Sequence, residues 1–250
     1  PENAAEYDGS LRRGYALADE AVVRLAAALD VAQTTLIVVS GHGLAPVHSQ
    51  VYLNSILRAH KLLVHGAAPD YRISVSRSKA LALASGGAAH VYINLRGRER
   101  AGVVPMEEYP QVQGAIVAAL SKVTGEDGQP VFSRVLRREE ASELNLGAPA
   151  TGDVFIQAAP GYALSDSLAH PGLLGPAESY GEAGYDATLP EMRAILVAAG
   201  RHIRAGAEVG PVHILDLAPT LSHLLGLKAP EAPEGRVLEE MLAQEATSLP

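Results

Sequence analysis

The chain has 250 residues, no cysteine and no tryptophan, and 48% of it is hydrophobic. That apolar content excludes a disordered chain, and the lack of cysteine excludes thiol catalysis and thiolate metal ligands, so any metal would have to be held by His, Asp or Glu. With 28 acids against 20 bases, the formal charge of −8 opposes nucleic-acid binding, and no run of about 18 apolar residues offers a membrane span.

The opening PENAAEYDGS lacks the basic-then-apolar order of a signal peptide. Residues 10–30 follow as an amphipathic helix. Leu11, Tyr15, Ala18, Val22, Leu25 and Leu29 recur at spacings of three and four, and Ser10 is placed to cap the start. Residues 34–39, TTLIVV, are β-branched and apolar throughout, which predicts a strand covered on both faces. The strand stops at Ser40-Gly41-His42-Gly43, and a helix, a buried strand and a glycine loop in that order read as α/β architecture with functional groups at the strand ends.

Residues 51–63 predict a second helix with Leu53, Ile56, Leu57 and Leu63 in the core. Short strands are expected at 72–75 and 81–84, and a stronger one at 90–95 after the Gly86-Gly87 turn. Residues 106–123 read as a helix that buries Tyr109, Val112, Ile116, Ala119 and Leu120; strands are expected at 131–136 and 153–158. Residues 160–189 lose all periodicity and read as a long loop of the kind that forms sites or lids. A buried strand at 192–198 and a helix at 215–225 follow; Asp216 and Pro219 stand at that helix's start and Gly226 just past its end. A tail at 229–250 holds one short helix. With no internal repeat, heptad run or sharp linker, residues 1–250 read as a single domain.

Several of these segments together carry a family resemblance. Residues 34–46, TTLIVVSGHGLAP, are similar to the strand and metal loop of the alkaline phosphatase superfamily, in its type I phosphodiesterase/nucleotide pyrophosphatase branch, where Ser-Asp-His-Gly usually follows the strand. Residues 86–95 resemble the glycine turn and strand that come next. Residues 180–192, YGEAGYDATLPEM, resemble the later Gly-x-His-Gly loop, and residues 211–227, PVHILDLAPTLSHLLGL, the closing helix. The resemblance spans roughly residues 10–240. It implies a three-layer α/β/α sandwich with a mostly parallel sheet that lacks the N-terminal portion of the family fold, and relatives that hydrolyse phosphoesters, often outside the cell or in the periplasm.

The resemblance also implies two zinc ions held by Asp and His on loops at the strand ends. Here Gly41 stands where Asp is expected and Ala183 where His is expected, so His42 is the one surviving ligand position. The family's nucleophile and remaining ligands have no counterpart in this sequence. His42 is therefore either a residual ligand or a loop histidine bonded to backbone, and Glu182 either a substitute carboxylate or a solvated loop acid.

No Gly-x-Ser-x-Gly or P-loop appears. Arg96, Arg98 and Arg100 read as a solvated turn rather than an anion site, and Asp216 with Thr220 as a helix cap. The resulting expectation is a hydrolase-family chain that binds no zinc and is inactive alone. The alternative is a noncatalytic binding or assembly module that self-associates through surface left open by the missing portion.

Overall fold

A computed structural model describes residues 4–66, 72–144, 146, 148–228 and 234–243. The chain forms two compact units, His42–Arg193, and Pro1–Gly41 together with Ala194–Pro250. The fold is the expected mixed α/β type.

The unit His42–Arg193 holds the main core. Strand β2 will denote Ala45–Tyr52, which runs straight into helix α2 at Leu53–Ala59; β3 and β4 are Ala80–Ser85 and Ala88–Ile93; α3 is Tyr109–Leu120. Strand β5 (Phe132–Arg137) leads into α4 (Arg138–Ala141), and β6 to β9 are Val154–Ala158, Gly161–Ser165, Leu174–Pro176 and Gly181–Glu182. Four strands form an antiparallel sheet in the order β3-β4-β6-β5. A second sheet is built on β2, parallel to β7 on one side and antiparallel to β8 and β9 on the other.

Local sequence accounts for these elements. In β4 alternate residues Ala89, Val91 and Ile93 point inward, as a half-buried strand requires, whereas every residue of β6 is buried. Helix α3, started by Pro110, lays Val112, Ile116, Ala119 and Leu120 into the core. Full burial of a side chain such as Ile116 contributes about 1.5–3 kcal/mol. Buried Asn54 ties α2 to β3: its amide donates to the Ala82 carbonyl and its carbonyl accepts from the Ala82 N–H, at 3.1 and 2.9 Å.

In the other unit, α1 (Ala4–Ala28) precedes β1 (Thr35–Val39), which pairs antiparallel with β10 (Leu196–Gly200); α5 is Leu217–Leu224. Its core is small: Leu238, Met241 and Leu242, against which Leu196, Ala198, Ile203 and Leu224 pack. Asp216 receives the His213 and Arg236 N–H groups at 2.9 Å each, and the Thr220 hydroxyl accepts from Leu238 N–H at 3.0 Å, so the helix start also anchors the segment after it.

Several sequence expectations need correction. Helix α1 begins at Ala4, so Ser10 lies inside it rather than capping it. None of residues 35–39 is buried, so β1 is not covered on both faces. Val51 and Tyr52 end a strand instead of opening a helix. The expected strand at 72–75 is a single bridge at Ile73 followed by a 3-10 turn, Val75–Arg77. The supposed loop at 160–189 contains β7, β8 and β9. The strand expected at 192–198 starts later, at Leu196, and alternates in exposure. Of the tail, Glu239–Met241 is a 3-10 turn, while 229–233 and 244–250 lie outside the described residues.

Candidate functional site

His42 opens the unit His42–Arg193 as an exposed side chain, and Gly41, also exposed, closes the other chain segment just before it. The Nδ1 of His42 lies 2.8 Å from the Gly43 carbonyl oxygen. A carbonyl only accepts, so in the neutral ring this contact puts the proton on Nδ1 and leaves the lone pair on Nε2. Gly43 is fixed by packing. Its N–H donates to the Met192 carbonyl at 3.0 Å, and a Cβ there would fall 1.9 Å from the Glu191 carbonyl oxygen. Gly41 differs, because nothing lies within 4 Å of where its Cβ would be. The space admits a side chain that the sequence does not supply.

Ala183 follows β9, whose Glu182 pairs with Ala45 three residues after His42. His42 and Ala183 are thus carried to the same end of one antiparallel ribbon. Residues 182–186 clasp the β3–β4 turn. The Gly87 N–H donates to the Ala183 carbonyl at 2.7 Å, and Gly86, at φ +60, passes so close that a Cβ would stand 2.5 Å from that same oxygen. Tyr185 lies over Gly87 and donates to the Tyr162 carbonyl at 2.7 Å; burial, then the nearby Glu182 charge, pushes its phenol up to about 12. Arg134 is paired with Asp186, whose carboxyl is held low by the Thr188 N–H and hydroxyl and then by Arg134.

The Glu182 carboxylate accepts from the Ser179 hydroxyl at 2.5 Å, and its other oxygen faces Gly86. Among the described residues, no three His, Asp or Glu side chains gather in a way that could hold a metal ion. Among these same residues, His42 offers one nitrogen at this ribbon end and Ala183 offers none, against the three or four protein ligands that each ion of a catalytic zinc centre takes.

A buried ion pair lies elsewhere, at an arginine that the sequence reading places in a solvated turn. Arg98, expected in a solvated turn, forms a two-pronged bond to Asp153, with both N–O distances 2.7 Å; the Asp153 side chain is fully buried. The Ile93 N–H at 2.6 Å and the Tyr109 hydroxyl at 3.0 Å complete its coordination. Burial by itself would raise the Asp153 carboxyl, but Arg98 and the Ile93 N–H outweigh it and hold the group below its ordinary value. Tyr109 is driven upward by burial and then by the Asp153 charge. The available signal is an acid directly before the strand VFIQA, apolar but for Gln157, where a buried carboxylate requires a charged or hydrogen-bonding partner.

The elements described make a chain of the mixed α/β class. A family model described as type I phosphodiesterase / nucleotide pyrophosphatase matches residues 3–186, and the chain belongs to that family. Among solved structures it is similar to human ectonucleotide pyrophosphatase / phosphodiesterase 5, with 16% identity and a TM-score of 0.58 over 85% of this chain and 46% of that one. The murine protein of the same name matches at 18% identity and a TM-score of 0.56, over 84% and 46%. The chain therefore spans less than half the length of these structures. No curated protein sequence matches it significantly. No helix among the described residues is long and apolar enough to cross a membrane.

Proposed function

We propose that this chain carries the phosphodiesterase fold without, by itself, the two-zinc chemistry through which its family hydrolyses phosphoesters. The observation that supports this reading is the composition of the ribbon end: His42 contributes a single imidazole there, Ala183 contributes no donor, and Gly41, beside His42 in sequence, contributes none either. A phosphoester remains the substrate class the family implies, and hydrolysis in this chain would need metal ligands that these positions do not supply. Zinc, the family's cofactor, finds one nitrogen where it needs several ligands.

The test is turnover of bis(p-nitrophenyl) phosphate by the full chain with added zinc, compared with His42→Ala and with a metal-free control. Rates equal in all three are expected. Zinc-dependent turnover that disappears in His42→Ala would overturn the reading.

A further inference from the structure

Charge is distributed unevenly along the chain. Residues 58–108 hold eight Lys and Arg against four Asp and Glu, a balance of +4, while the rest of the chain carries −12. This basic segment is internal to the unit His42–Arg193.

The fold gathers its bases. Strands β3 and β4 carry no Lys, Arg, Asp or Glu, so all eight bases fall before β3 or after β4, and both flanks return to the open end of that hairpin. The Leu62 carbonyl receives the Lys79 and Ala80 N–H groups at 2.8 and 3.1 Å, which sets Lys61 beside Lys79. The side-chain nitrogen of buried Asn94 lies 2.8, 3.0 and 3.0 Å from the Val75, Ser78 and Ala101 carbonyl oxygens. The turn that holds Arg77 and the loop that holds Arg96, Arg98 and Arg100 therefore rest on one side chain. Lys79 reaches Glu108 at 3.6 Å and brings the Met106–Glu108 turn to the same end.

Arg98 is engaged by Asp153 and Glu99, and Lys79 by Glu108. Lys61, Arg77, Arg96 and Arg100 are exposed and form no ion pair with a described residue; Glu107 is the exposed acid left among them. Two apolar side chains stand beside these bases in the open, Val75 at 52% and Met106 at 65% exposure.

We infer that this end of the unit is a docking surface for an anionic lipid bilayer. Unpaired bases with exposed Val75 and Met106 beside them match the two layers of a membrane face, anionic headgroups above hydrocarbon. A bilayer meets one end of a protein, whereas a long anionic polymer runs on past the bases to a chain that carries −12 elsewhere. No Phe or Tyr among the described residues of 58–108 is exposed, so the surface lacks the aromatic platform on which nucleic-acid bases stack. Each base near an anionic surface raises partition about fivefold, so a balance of +4 predicts a preference of roughly several hundredfold over a neutral bilayer.

Cosedimentation of the full chain with vesicles of phosphatidylcholine alone, or with about one-third phosphatidylserine, tests the inference. Binding is expected with the phosphatidylserine vesicles only, and should fall as salt rises from about 0.05 to 0.5 M and screens the charges. Arg77→Gln with Arg100→Gln should lower partition about 25-fold. Val75→Ser with Met106→Ser should also weaken binding, and Lys122→Gln, past the far end of α3, should leave it unchanged. All five positions are exposed, so circular dichroism should match the wild type and exclude misfolding. No binding to phosphatidylserine vesicles, or binding indifferent to either double substitution, would overturn the inference. So would equal loss in Lys122→Gln. Displacement by soluble glycerophosphoserine would reassign the surface to a single phosphate, and tighter binding to a single-stranded oligonucleotide than to vesicles would reassign it to a polymer; either result refutes bilayer docking.

Discussion

Removing the Arg98 side chain breaks the ion pair with buried Asp153 from one side. In Arg98→Ala the fully buried Asp153 carboxylate loses both 2.7 Å bonds and keeps only the Ile93 N–H and the Tyr109 hydroxyl. Breaking a buried pair from one side costs about 3–5 kcal/mol. Arg98 is itself one-third exposed, so solvent already screens part of its attraction, and the lower end, about 3 kcal/mol, is the expected value at pH 7. With a urea dependence of roughly 2 kcal/mol/M, that shifts the midpoint by about 1.5 M.

The pH dependence supplies a second, independent sign. In the wild type the folded-state carboxyl lies below its ordinary value of 3.8, so its stabilisation is complete above that value and is lost as pH falls through the folded pKa. In the variant, burial without Arg98 moves the carboxyl the other way, so acid protonates it early and relieves the penalty. The difference between wild type and variant should therefore shrink steadily from pH 7 toward pH 4. The assay is urea denaturation followed by circular dichroism at both pH values. A midpoint shift below about 0.3 M at pH 7, or a difference that stays constant or grows on acidification, would refute the assignment of Asp153 as a buried ionised anchor.

Other perturbations follow from packing. Gly43→Ala should destabilise by at least about 2 kcal/mol because its Cβ meets backbone rather than a movable side chain, whereas Gly41→Ala should lie within about 0.5 kcal/mol of wild type; thermal melts distinguish them. Ile116→Ala should cost about 2–5 kcal/mol and Leu17→Ala less than about 0.5, since the first is fully buried and the second 59% exposed. Thr220→Val leaves the buried Leu238 N–H without its acceptor and should cost about 1–3 kcal/mol, detected as lost amide-exchange protection at Leu238.

Burial was legible where one periodicity ran uninterrupted. Leu53, Ile56, Leu57, Val112, Ile116 and Leu120 were all identified from spacing, and all are core. Strand β2 escaped because its inward residues Ala45 and Val47 are separated from Val51 and Tyr52 by His48, Ser49 and Gln50, and because it joins α2 without a turn. Strands β7 to β9 escaped because they are two to five residues long and begin or lie at glycines. Apolar sequence in β1 predicts cover on both faces, yet composition registers only the need for cover and not what provides it. At the candidate site, the identities of Gly41, His42 and Ala183 were readable directly. The hydrogen bond that assigns the His42 tautomer, the clasp of residues 182–186 on the β3–β4 turn and the Arg98–Asp153 pair all depend on contacts distant in sequence.

The central claim, that this member of the phosphodiesterase family does not assemble a two-zinc centre from its own residues, is tested most directly by zinc stoichiometry. Elemental analysis of the purified chain after equilibration with micromolar zinc and exhaustive dialysis should find well below one zinc per chain, unchanged in His42→Ala. Close to two zinc ions per chain, reduced by that substitution, would contradict it.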